Sequence, residues 1–283
     1  MAKKESYFVR LARIVLETAE AVLPRYSHPK SPHRYTQPQL AACVLLMFRL
    51  RLSYRDMEEW LLATDAVCAA LQLKRIPDHA TLCRAHQRLR LKTLEQMNQA
   101  LLDKLGVEEE LVALDSTGYR ITSASAYYQT RRGQIFREWC KGVYAVGTQS
   151  QLILAWRQGR GPGHDSSFLN GLRRDVGRYA RHEHGRPCWM MITDAGFDSQ
   201  EVREGDLIPP VRRHGKLVSP ERKARAELVA AAKLDGIYGQ RWKTETVHSV
   251  IKRKFGDVVR SRLTNRRRRE PAVKGLLYNA HVR

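Results

Sequence analysis

The sequence predicts a mixed α/β domain preceded by an all-α region, and three observations carry that expectation. Residues 1–108 show helical spacing and helix-start signals, with no alternating apolar run. From about residue 110 short apolar runs bounded by turn residues take over, at 142–147, 151–156 and 187–193. Two apolar runs end in an acidic residue, Asp115 and Asp194, and the carboxyl ends of sheet strands are where α/β sites gather. The expected division is 1–108 for the helical region and 109–283 for the α/β domain.

In the first region, Thr36 caps the apolar stretch TQPQLAACVLLMFRL, which ends near Arg51. Ser53, with Asp56 three residues on, opens SYRDMEEWLLA as a capping box would. Pro77 then breaks the chain and Asp78 caps HATLCRAHQRLRL. Two short helices joined by a tight turn resemble a helix-turn-helix, with Arg84, Arg88 and Arg90 available to DNA. A plain helical bundle with solvated arginines explains the same spacing, and the spacing does not decide between them.

In the second region, LVALDSTGYRITS reads as a core strand carrying Asp115, followed by strands at 142–147 and 151–156. The loop GRGPGHD leads to a helix over 166–179, and PCWMMIT, 187–193, reads as a buried strand ending at Asp194 and the turn AGFD. A further strand is expected at 207–211, interrupted by Pro209 and Pro210. Residues 212–226 read as a basic connector, and Leu234 to Lys254 as a helix. Arg266–Arg269 and the helical AVKGLLYNAHV close the chain.

Composition narrows the partners. The chain has 283 residues, 43% hydrophobic, enough for one large domain or two modest ones. Its 50 Lys and Arg against 29 Asp and Glu give a net charge of +21, spread along the whole length. Such a charge suits a polyanion, because each neutralised phosphate releases condensed counterions. Double-stranded DNA is the expected partner, with ribosome association or an anionic membrane as plainer alternatives. Five cysteines with no CxxC pair argue against a disulfide framework or a zinc knuckle. The N-terminus MAKKESYFVR has no signal-peptide core, and the longest apolar run, Leu40 to Phe48, is far short of the roughly 20 residues of a membrane span. A cytoplasmic protein with no membrane partner is expected.

An aspartate after a strand is commonly a turn former, so Asp115 and Asp194 gain weight only together. Carboxylates at a sheet edge without basic partners favour a cation, and hard oxygen ligands select Mg²⁺ or Mn²⁺. Tyr238, Arg241, Glu245, His248 and Lys252 follow at intervals of 3, 4, 3 and 4, which places them within about 80° of one another on a helix. A solvated face with an Arg241–Glu245 ion pair explains the charges. It does not explain why a tyrosine and a histidine share the line. Elsewhere, His164-Asp165 is expected to cap a helix, with contact to the site as the alternative. Asp198 is either a support for the site or a turn residue, and Trp189 and Trp242 are expected in the core, with stacking on an unpaired base as the alternative.

The spacing Tyr-x2-Arg-x3-Glu-x6-Lys, met at Tyr238, Arg241, Glu245 and Lys252, resembles the signature of DDE transposases of bacterial and archaeal insertion sequences. ALDSTG is similar to the family's first-aspartate strand, TDAGFD to its second-aspartate motif, LSYRDMEEWL and IPDHATL to its helical N-terminal region, and KGLLYNAHV to its last helix. The resemblance runs over nearly the whole chain from about residue 35. It implies a ribonuclease-H-like fold and cut-and-paste transposition with two divalent ions, Mg²⁺ or Mn²⁺. It makes Asp115, Asp194 and Glu245 the catalytic metal ligands and Tyr238, Arg241 and Lys252 the contacts to transposon-end DNA, bound by a homodimer. Only 51 residues separate Asp194 from Glu245, leaving no room for the β-rich subdomain some relatives insert there, so the cleavage route, hairpin or not, stays open. Two rivals remain: a ribonuclease-H-like nuclease that never joins strands, and a catalytically inactive DNA-binding descendant of a transposase.

Overall fold

In the computed structural model, which describes residues 5–121, 131, 139–183, 186–212, 216–261 and 263–283, the helix-start signals of the N-terminal region are used as capping boxes. Thr36 accepts from the Gln39 backbone while the Gln39 side chain accepts from Thr36, and Ser53 and Asp56 repeat the exchange. Asp78 Oδ1 accepts from the Thr81 backbone at 2.8 Å. Six helices result: α1 (Tyr7–Glu20), α2 (Gln37–Leu50), α3 (Tyr54–Leu62), α4 (Asp65–Ala70), α5 (His79–Arg88) and α6 (Leu91–Lys104). Leu40 to Met47 are buried without interruption because α1 and α5 both pack against α2. Such all-round burial is why this stretch is apolar on every face. The expected tight turn is not there: α4 and residues 71–78 lie between α3 and α5. Arg84, Arg88 and Arg90 are exposed.

The chain divides into two compact units, Met1–Leu105 with Lys254–Gly256 and Ala272–Arg283, and Gly106–Arg253 with Asp257–Pro271. The last helix, Glu270–Val282, supplies the first unit with Asn279, which donates to Asn98 Oδ1 at 2.8 Å, and His281, 2.8 Å from the Tyr7 hydroxyl. None of the five cysteines is in a disulfide. Among the described residues no helix is long and apolar enough to cross a membrane.

The second unit is built on a four-stranded mixed sheet in the order β3-β2-β1-β6. Its strands are β1 (Leu111–Arg120), β2 (Trp139–Gly147), β3 (Ile153–Arg160) and, after the small ribbon of β4 (His182–Glu183) and β5 (Arg186–Pro187), β6 (Met190–Ile192). β1, β2 and β3 form an antiparallel meander, and β6 runs parallel beside β1. This sheet, with helices around it, is a ribonuclease-H-like fold. β2 is buried along nearly its whole length, as its run of apolar residues requires. Gly147 ends it where a β-carbon would stand 2.1 Å from Glu109 Oε1. That buried carboxylate accepts from the backbones of Gln149 and Ser150 and so closes the turn into β3.

Five expectations need correction. The run 187–193 joins the four-stranded sheet only at Met190–Ile192, and 207–211 contributes a single parallel bridge, Ile192 to Leu207, because Pro209 and Pro210 have no N–H for a ladder. The helix over 166–179 is a 3₁₀ turn (Asp165–Phe168), α7 (Leu169–Val176) and a second 3₁₀ turn (Gly177–Tyr179). Part of the basic connector is helical: Pro220, at a first-turn position where its missing N–H costs nothing, starts α8 (Pro220–Leu234). Residues 213–215 of the connector lie outside the described residues. The helix from Leu234 to Lys254 is interrupted as well. α8 stops at Leu234, Gly236 adopts φ +74°, a 3₁₀ turn covers Tyr238–Arg241, and α9 (Trp242–Phe255) follows.

Two buried ion pairs tie this framework together. Arg173 of α7 forks onto both oxygens of Asp206. The Asp198 carboxylate, 1% exposed, is held by Arg222 and Arg225 of α8 and accepts from the Val211 backbone at 2.8 Å. Asp198 is therefore an anchor between the turn after Asp194 and α8.

Candidate active site

The sheet sets the first two carboxylates. In the parallel pairing of β1 with β6 the last matched positions are Ala113 and Ile192. Asp115 and Asp194 each lie two residues further on, so they stand at equivalent levels of neighbouring strands. Asp194 also begins the AGF turn, accepting from the Gly196 backbone at 2.9 Å. It thus does the turn-forming work a lone aspartate commonly does, and at this level of the sheet it does so beside Asp115.

Asp115 pairs across the sheet with Tyr144 and is overlaid by α9. Thr244 Oγ1 lies 3.5 Å and His248 Nδ1 3.6 Å from Asp115 Oδ2. Burial pushes the Asp115 carboxyl up to about 6, with the negative charges of Asp194 and Glu245 adding to the shift. The Ser116 N–H, 2.9 Å from Oδ1, and the Arg241 guanidinium oppose it. His248 is buried with Nε2 unpaired, and burial, then the charge of Lys252, lowers its pKa to about 4. The imidazole is neutral near pH 7, so its contact with Asp115 is a packing contact rather than an ion pair. Its ring centroid lies 5.6 Å from that of Tyr144.

Glu245 is placed differently. Its side chain is 64% exposed, and its nearest cation is Arg241, with Nη2 3.4 Å from Oε1. The i,i+4 pair that a solvated helix face would carry is present, although Arg241 sits on the 3₁₀ turn and Glu245 on α9. Tyr238 packs partly buried against Ile192, Leu207, Val229 and Ala232, and its hydroxyl donates to the Thr193 carbonyl at 3.0 Å. Lys252 is half-buried, two α-helical turns beyond Glu245.

Chemically, a carboxyl that burial, with a smaller addition from two like charges, holds above its ordinary pKa is a group a cation would relieve. The hard oxygens of Asp115 and Asp194 fit a divalent ion. Among the described residues, however, no group of three His, Cys, Asp or Glu side chains is gathered closely enough to hold one. β1 and the segment just past β6 bring the two aspartates near each other, while Glu245 acts on Asp115 through its charge and remains engaged by Arg241.

Other expectations are revised. His164 precedes the 3₁₀ turn without a side-chain cap, and Asp165 is bound instead by Lys141 and Ser116. Trp242 is 53% exposed and is not a core residue, because it opens α9 on its solvent side. Trp189 is half-buried with the Arg173 guanidinium 6.0 Å from its ring centroid. Lys141, Thr244 and Ser116 were not singled out by their sequence context. For Lys141 a signal existed, since a lysine inside the apolar run WCKGVYAVG must find a partner when the strand is buried. Thr244 and Ser116 carried none.

The sequence model of one family, described as the transposase DDE domain, matches residues 107–279. No curated protein matches the chain.

Proposed function

The chain belongs to the transposase DDE-domain family, and from that premise we propose that it cuts transposon ends and joins the freed 3′-hydroxyls to target DNA. The observation that carries this reading is that Asp115 of β1 and Asp194, two residues past the end of the adjacent parallel β6, lie near enough for the charges of Asp194, Glu245 and Arg241 all to act on the Asp115 carboxyl. Asp115, Asp194 and Glu245 would hold Mg²⁺ or Mn²⁺, two ions in all. When bound, such ions supply Lewis acidity to the attacking and leaving oxygens of a phosphodiester.

The chain's own residues supply positioning. Arg241 presents a planar fork suited to a phosphate, and Lys252 a point charge. Because Arg241 is also the partner of Glu245, a DNA phosphate that engages the guanidinium competes with the carboxylate and frees it to face the aspartates. Tyr238, through its hydroxyl on Thr193, ties the turn that carries Arg241 to the strand end that carries Asp194. The neutral His248 ring fills the space between Asp115 and Tyr144 and keeps water from that side of the carboxyl.

The partner is double-stranded DNA, at the ends and at the target, bound by a homodimer in the cytoplasm. Residues 1–108 contribute to end binding through the exposed Arg84, Arg88 and Arg90. A strand-transfer assay on DNA carrying the inverted repeats that flank the coding region tests the reading. Joined products dependent on Mg²⁺ or Mn²⁺ are expected. Cutting without joining would make the protein a nuclease, binding without cutting an inactive descendant, and undiminished cleavage in EDTA would remove the carboxylate site.

A further inference from the structure

One buried cation has no part in the chemistry above. Lys141 lies in the middle of β2 with its side chain 7% exposed. A buried ammonium is costly unless paired and hydrogen-bonded. Its Nζ is 2.6 Å from Asp165 Oδ1, donates also to the Gly163 carbonyl, and stands 5.6 Å from the Trp139 ring centroid. The other oxygen of Asp165 accepts from Ser116 Oγ at 2.9 Å.

The position of this group is what gives it meaning. Side chains alternate across a strand. Ser116, next to Asp115, therefore leaves β1 on the face opposite Asp115. The register pairs Ser116 with Val143 and Gly118 with Lys141, so Lys141 projects from that same face. Asp165 thus sits behind β1, bound to the residue whose backbone N–H lies 2.9 Å from Asp115 Oδ1. It also approaches Gly196, in the turn that holds the other aspartate. A β-carbon on Gly196 would lie 3.7 Å from Asp165 Oδ2 and 3.0 Å from Asp194 Oδ1, and it is the Gly196 N–H that holds Asp194 Oδ1.

We propose that Asp165, neutralised by Lys141, is a positioning residue that sets Asp115 and Asp194 relative to each other through Ser116 and the Gly196 turn. The inference rests on the reading of those two aspartates as metal ligands. A side chain that orients ligands without touching the ion changes metal affinity, whereas a purely structural ion pair changes only stability.

The test is Mn²⁺ affinity of the full-length protein, measured by the electron paramagnetic resonance of free Mn²⁺, alongside thermal unfolding and end-DNA binding. Asp165→Asn and Ser116→Ala should each weaken Mn²⁺ binding about 10- to 100-fold with end-DNA binding retained. Ser116→Ala keeps the Lys141–Asp165 pair and so keeps the fold even where Asp165→Asn does not. Ser116→Thr, which restores the hydroxyl, should recover most of the lost affinity. Wild-type Mn²⁺ affinity in both Asp165→Asn and Ser116→Ala, with or without a lower Tm, would overturn the proposal while leaving the aspartates as ligands. Failure of Ser116→Thr to recover affinity would overturn it too. Wild-type Mn²⁺ binding that is indifferent to Asp115→Asn would instead remove the metal-site reading, and this proposal with it.

Discussion

Asp115 stands on a sheet strand and Asp194 two residues past the neighbouring one, whereas Glu245 stands on a helix. Asp115 is fixed by the register of β1 with β2, and Asp194 by the end of β6 and the turn it begins. Glu245 is mostly exposed and paired with Arg241. Sheet positions are set by a hydrogen-bonded ladder that a side chain cannot shift, whereas a long exposed side chain chooses among rotamers. On the proposed function, the difference teaches that two carboxylates would be prearranged as ligands and the third recruited, with Arg241 as its present holder.

The largest expected effects test that asymmetry. Asp115→Glu lengthens a side chain on a fixed strand and should reduce cleavage to background, while Glu245→Asp should retain a measurable rate because the helix-borne carboxylate can readjust. Initial cleavage rates of the two variants check it, and equal loss in both would break the comparison.

A second effect bears on the frame that fixes the aspartates. Arg173→Ala leaves the buried Asp206 carboxylate without its counter-charge, though still accepting from the Met191 and Arg203 backbones, and should cost about 3 kcal/mol of stability, read by denaturant unfolding. The same substitution at exposed Arg84 should cost little, as surface positions do. Comparable loss at both sites would count against a rigid strand end.

Smaller is the effect of removing the helix-borne cations. Arg241→Ala and Lys252→Ala should each weaken end-DNA binding by about 1–3 kcal/mol, near the value of a charged hydrogen bond, measured by gel shift at fixed salt. Arg241→Ala should also free Glu245, so its Mn²⁺ affinity should rise where that of Lys252→Ala does not.

The smallest effect concerns pH. Burial raises Asp115 from its ordinary 3.8 to about 6, so the folded protein holds this proton more tightly than the unfolded chain does. The associated stability is complete below about pH 4 and is lost as pH rises through about 6. In EDTA, Asp115→Asn should therefore match the wild type in acid and exceed it by about 1–3 kcal/mol well above pH 6. A variant less stable than wild type in that range would show that the carboxylate is not strained by its site.

The same contrast explains what could be read from the sequence. Asp115 was legible as a residue of a buried strand because VAL precedes it, but the expected strand end is not there, since β1 pairs on with β2 to Arg120; TDAGFD marks the turn past β6 that Asp194 begins. The capping boxes of α2 and α3 were legible because capping is local chemistry. The single helix drawn from Leu234 to Lys254 failed at Gly236, whose positive φ is set by where α8 ends. Arg222 and Arg225 of α8 could not be matched to Asp198 from sequence, since both lie within the stretch read as a basic connector. Lys141, Asp165 and Ser116 come from three separate segments, and only the register of β1 with β2 brings them to one face of the sheet.

The most direct test of the central claim is cleavage and end binding by Glu245→Gln, which removes a carboxylate charge and keeps its shape. The account predicts that cleavage disappears while end-DNA affinity holds or rises slightly, because a charge that repels phosphate is gone and Arg241 loses its ionic partner. Cleavage at a near wild-type rate would contradict it, since Glu245 would then have no place in the site that Asp115 and Asp194 begin.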